Sequence, residues 1–158
     1  NVNTINEYWS KDLANNLLAV QSLAPAVRTA DANGTGVDLQ GFEGAMAIVD
    51  MGAEGDTLSS SVKIDFKLEE SSDDSTYTAV SSSSSVTDGS VDSNGIFATF
   101  DANSEAPAVS AIGYVGGSRY IRVVADFTGS HSNGSPCSAV IIKGHPRHNV
   151  DADSSSSA

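Results

Sequence analysis

Residues 113–127 read GYVGGSRYIRVVADF, and the second half alternates. Ile121, Val123, Ala125 and Phe127 project to one side, and Tyr120, Arg122, Val124 and Asp126 to the other. A period of two marks a strand with one face on a core. Ahead of it, Gly116-Gly117-Ser118 has the composition of a turn whose glycines take positive φ, and Ala111–Val115 reads as a further short strand. The stretch therefore predicts a β-hairpin, and no residue in it carries catalytic chemistry.

The same pattern extends outward from this stretch. Val62–Glu69 alternates most cleanly, with Val62, Ile64, Phe66 and Leu68 facing in and Lys63, Asp65, Lys67 and Glu69 facing out. The mixed charges of the outer side predict cross-strand ion pairs on a solvated sheet, each worth about 0.2–1 kcal/mol. Ser138–Lys143 is apolar on both sides, which predicts an interior strand or one whose outer face is covered. Ala45–Met51 is apolar but for Asp50 and reads as a central strand between glycine-flanked bends. Val27–Ala30 and Gly36–Leu39 flank Asn33-Gly34, a strong hairpin signal. Tyr77–Val80 and Ile96–Phe100 complete about eight to nine short strands. Helical periodicity is missing after residue 24, so the prediction is an all-β antiparallel sandwich, Ig-like or jelly-roll-like.

Residues 1–24 differ from this pattern and are expected to form an N-terminal arm, ahead of a sandwich over 25–150 and a Ser-rich tail over 151–158. Ser10 could cap a short helix with Leu13, Leu17 and Leu18 on one face, although Asn15-Asn16 weakens it. An extended arm is the other reading. Tyr8 and Trp9 are candidates for anchoring it to a partner.

Composition narrows the function classes. The formal net charge of −12, from 20 acidic and 8 basic residues, argues against nucleic acid and against an anionic membrane surface. No apolar run approaches membrane-spanning length, so a soluble chain is expected. The single cysteine, Cys137, has no internal disulfide partner and reads as a small buried residue. No serine lies in a Gly-x-Ser-x-Gly elbow, and the acidic pairs Glu69-Glu70 and Asp73-Asp74 fall in turns, so no enzyme is expected. His145, His148 and Asp151 lack the spacing of a metal site, with Pro146 between them. Asp88, Asp92 and Asn94 do not complete a calcium loop. No metal or cofactor is expected.

Three segments together carry a resemblance: AVQSLAPAVRTADANGTGVDLQGFEGA (19–45), VKIDFKLEESSDDSTYTAV (62–80) and GYVGGSRYIRVVADFTGSHSNGSPCSAVIIKGHPRH (113–148). They resemble small proteins from the head-gene regions of tailed bacteriophages and prophages, described as capsid decoration, cement or head-stabilisation proteins. The resemblance implies a structural virion protein, made in the host cytoplasm and bound to the outside of the head. Its implied partners are the major capsid protein and further copies of itself, a trimer being one possibility. On that reading Tyr8, Trp9, Leu13, Leu17 and Leu18 face the capsid, and Tyr120 and Arg122 are further contact candidates. The competing assignment pairs Tyr120 and Arg122 with acids on an adjacent strand. An adhesion module holding host glycans and a tail-tube or connector subunit are the other functional classes.

Overall fold

The computed structural model describes residues 11–147. Among the described residues, eleven strands form two packed antiparallel sheets. They are β1 (Leu17–Arg28), β2 (Ala32–Asn33), β3 (Val37–Asp38), β4 (Phe42–Met51), β5 (Lys63–Ser71), β6 (Thr78–Ala79), β7 (Val86–Thr87), β8 (Ile96–Phe100), β9 (Ala108–Tyr114), β10 (Tyr120–Thr128) and β11 (Ser135–Pro146). The first sheet has the order β1-β11-β4-β9-β7. In the second, β10 pairs with β5 at the centre, β2 and β3 lie along the outer side of β10, and β6 and β8 along that of β5.

The alternating segments form strands because each has an apolar side to bury. Ile64, Phe66 and Leu68 of β5, Ile121, Val123 and Ala125 of β10, Ala47, Val49 and Met51 of β4, and Ala139 and Ile141 of β11 fill the space between the sheets. Phe66 meets Phe100 of β8 edge-on, with ring centroids 5.9 Å apart. As its two apolar sides imply, β11 is an interior strand, hydrogen-bonded to β1 on one side and β4 on the other.

The chain changes sheet at almost every connection. β1 lies in the first sheet, β2 and β3 in the second, β4 in the first, β5 in the second, and so on to β11. Among the strands from β4 onward, only the step from β5 to β6 stays within one sheet. The orders β1-β11-β4-β9 and β3-β10-β5-β6 are those of a jelly roll, which settles the choice between the two sandwich types.

This winding corrects both predicted hairpins. β9 pairs with β4 and β7, whereas β10 pairs with β5, β2 and β3, so residues 115–119 carry the chain across the sandwich. Neither Gly116 nor Gly117 takes a positive φ. Gly116 lies against the ring of Tyr114, where a Cβ would come within 2.6 Å of it. The Tyr114 hydroxyl accepts a hydrogen bond from the Ser118 N–H at 3.0 Å and donates to Glu70 at 2.5 Å, pinning the crossover to the far sheet. Asn33-Gly34 likewise is no hairpin turn: β2 and β3 both run along β10, as one edge interrupted at residues 34–36. Gly34 is required by close approach, because a Cβ there would meet the Val123 carbonyl oxygen at 2.4 Å and Ser22 Oγ at 2.6 Å.

The helix reading that put Leu13, Leu17 and Leu18 on one face is also corrected, since Leu17 and Leu18 lie in β1. Asp12 caps a single turn by accepting from the Asn15 N–H, the Leu17 N–H bonds back to the Leu13 carbonyl, and the strand starts at Leu17. The ladder to β11 supplies the backbone partners that a longer helix would need. The expected boundary at residue 24 falls inside β1, which continues through Pro25 with register shifts on either side of Leu23. As an edge strand, β1 has a side that needs no ladder donor, which is where proline is tolerated.

Gly34→Ala is expected to lower stability by roughly 1–3 kcal/mol, since the added methyl meets backbone rather than a flexible side chain. The urea unfolding midpoint checks this; an unchanged midpoint would mean that β2 and β3 do not press on β10.

Candidate interaction surfaces

The two sheets present opposite outer faces. On the second sheet, Lys67 Nζ lies 2.5 Å from Asp126, Arg122 lies 2.7 Å from Glu69, and Lys63 lies 3.3 Å from Asp65. The first two are cross-strand pairs between β5 and β10, as the β5 pattern predicted, whereas Lys63 and Asp65 pair along β5 itself. Arg122 also stacks over the Tyr77 ring, 4.0 Å from its centroid, and Tyr77 donates to Asp74. Arg122 and Glu69 sit directly opposite in register, so the guanidinium is held by its own sheet. Of the two assignments for Arg122, the pairing with an adjacent strand is the one observed. Tyr120 sits beside it in the register, opposite Ser71 and Asp38, with the Arg119 guanidinium 5.1 Å from its ring centroid.

The outer face of the first sheet is apolar. Since Ala139 and Ile141 point inward, Val140 and Ile142 point out, and the same alternation turns Met46 and Ile48 of β4 outward. Register aligns Ala19, Ile142, Met46 and Gly113 in one row and Gln21, Val140, Ile48 and Ala111 in the next. Val109 adds to it, 66% exposed, and Met46 is 37% exposed. The acid in these strands' outward rows is Asp50, opposite Val109 at one margin. Among the described residues no strand packs over this face.

A third feature lies where the chain enters β1. Asp12, Leu13, Asn16, Leu17, Pro146 and Arg147 line a mostly apolar hollow of about 430 Å³. Leu13 is 63% exposed. The Arg147–Glu43 ion pair also lines the hollow, and Leu17 in its wall is held opposite Gly144 by the β1–β11 register. The structure thus brings Leu13 and Leu17 together. Leu18 belongs to the adjacent register position, opposite Lys143. Tyr8 and Trp9 lie outside the described residues, as do His148 and Asp151.

Most remaining polar groups are occupied structurally. The Asp92 carboxylate accepts from the backbone N–H groups of Asn94 and Ile96. Asp56 accepts from Asn133 and Gly134, which hold its carboxyl below the usual range against the opposing effect of burial. Burial pushes the Cys137 thiol up, away from the thiolate that reactivity needs. Among the described residues no three His, Cys, Asp or Glu side chains cluster as metal ligands would. What these surfaces offer is apolar area and fixed shape. Sequence reasoning missed the apolar sheet face as a unit, although the two-sided apolar pattern of Ser138–Lys143 was its visible sign. No family model, no curated protein and no solved structure matches the chain.

The crossover through Tyr114 gives a pH signature. Burial, and then the hydrogen bond to Glu70, raise its phenol to about 12. The folded state holds the neutral form, so the stability Tyr114 contributes is intact below the unfolded value of about 10 and is lost as pH rises toward 12. Tyr77 is shifted the same way by burial and Asp74. Urea midpoints should therefore fall between pH of about 9 and about 11.5, and Tyr114→Phe should flatten part of that fall while lowering the neutral-pH midpoint. A slope identical in the variant would remove Tyr114 from this role.

Proposed function

We infer that this chain is a structural virion protein, a decoration or cement protein that binds the outside of a tailed-phage head and reinforces contacts between major capsid proteins. The observation that carries this reading is the apolar hollow at the root of the N-terminal segment, with Leu13 and Leu17 in its wall. A cement protein needs a rigid body, a soluble outer face and an attachment point. The jelly roll provides the first, and the ion-paired second sheet suits the solvent side. The hollow suits attachment, because burying Leu13 and its neighbours against a partner recovers about 25 cal/mol per Å² of apolar surface.

The sequence resemblance supplies the phage context. Fold analogy adds little, since jelly rolls serve in viral capsids and in lectins alike. A glycan-binding reading has less support: it would use open aromatic platforms, and Tyr77 is stacked under Arg122.

Because β1 starts at Leu17, a variant lacking residues 1–16 keeps every strand of the described residues. The full chain is expected to bind heads stripped of decoration protein saturably and at regular lattice positions, seen by cryo-electron microscopy. The truncation, and separately Leu13→Glu, should weaken binding at least about tenfold, or about 1.4 kcal/mol. No binding by the full chain defeats the reading, whereas undiminished binding by the truncation defeats only the attachment point.

A further inference from the structure

We propose that the apolar outer face of β1, β11, β4 and β9 is a homodimer interface, on which a second copy of this chain packs its own identical face about a two-fold axis. The proposal is independent of the capsid reading.

Charge selects the occupant. The chain carries a formal net charge of −12, so two copies repel wherever their acidic surfaces meet. The second sheet is closed to self-association by its ion-paired charges, whose desolvation would be costly. The first sheet offers Ala19, Met46, Ile48, Ala111, Val140 and Ile142 with no formal charge among them. Two copies of an acidic chain can approach here without like charges in contact. A basic partner would find no acid to pair with except Asp50 at the margin.

Size suits a weak, reversible dimer. Four strands at about 4.8 Å spacing and about seven residues at about 3.4 Å give a footprint of roughly 450 Å² per copy. The two copies together bury roughly 900 Å² before side-chain relief is added, below the about 1,200 Å² of stable specific interfaces and in the range of weak, transient ones. Sheets pack face to face about 10 Å apart with strands some 30° from parallel, and the outward rows of β11 and β4 would sit at the centre. An identical patch on both copies is the isologous arrangement, closed at two subunits. The same apolar rows would otherwise remain in water on a chain that must stay dispersed.

The test is sedimentation equilibrium of the full chain at roughly 100 μM, which populates a dimer with a micromolar Kd. A dimer is expected. Met46→Glu and Val109→Glu, at positions already exposed, should shift it to monomer with unchanged circular dichroism, because each places like charges across the axis. Thr128→Glu, an exposed position on the other sheet, should leave the dimer intact. Single cysteines at Val140, Ile48 and Ala111 supply a second readout: at least one should form a disulfide-linked dimer on oxidation, native Cys137 being buried. A monomeric wild-type chain overturns the proposal and leaves the face to a terminal segment or a capsid partner. A trimer, or a dimer indifferent to both glutamate variants, overturns it as well.

Discussion

The ladder between the first strand and the last closes the sandwich. β11 enters the first sheet between β1 and β4, so the sheet has no continuous hydrogen-bonded path until the final strand is in place. Its inward residues, Cys137, Ala139 and Ile141, complete the layer that covers Ile64, Phe66 and Leu68 from the opposite sheet. β1 has no other partner in the sheet, and β4 gains its second neighbour only by this insertion. Pairing across more than a hundred residues of intervening chain carries a large loop-closure cost, so folding of this topology is expected to be slow compared with a meander of local hairpins.

The closed sandwich leaves two outer surfaces of contrasting chemistry. One sheet satisfies its charges internally, through Arg122 with Glu69 and Lys67 with Asp126, and needs nothing from a neighbour. The other carries its outward apolar rows into solvent. On the two proposals made above, such a body has a side for water and a side for protein, with the apolar hollow at the start of β1 as a separate point of attachment. Assembly on a lattice and pairing with a like copy draw on different parts of the same molecule, so neither requires the other to be given up.

The residues announced the strands more clearly than their partners. Alternation in Val62–Glu69 and Tyr120–Phe127 located β5 and β10 and their buried sides, because burial of one face is a local pattern with a period of two. Strand pairing is not local. Gly116-Gly117-Ser118 and Asn33-Gly34 look like hairpin turns, yet one carries the chain across the sandwich and the other interrupts an edge. Glycine is compatible with a turn or with a close backbone approach, and only the tertiary structure distinguishes them. Arg122 was legible as an outward cation, but its bond to Glu69 depended on the register between β10 and β5. The apolar sheet face needed three registers at once before Ala19, Ile142, Met46 and Gly113 became one row across four strands.

The antiparallel match of Leu17 with Gly144 also sets how the body bears load. Chain enters β1 and leaves β11 at the same pole, and the ladder's hydrogen bonds lie across the strands. Tension applied between these two points peels the ladder open one bond at a time, like a zipper. Tension from the start of β1 to the far pole instead loads many of those bonds together, in shear. A molecule gripped at the start of β1 and held again at its opposite pole is therefore mechanically strong, and one pulled between the start of β1 and the end of β11 is weak. The same sandwich can act as a stiff strut or as an easily opened clasp, depending on where its neighbours hold it.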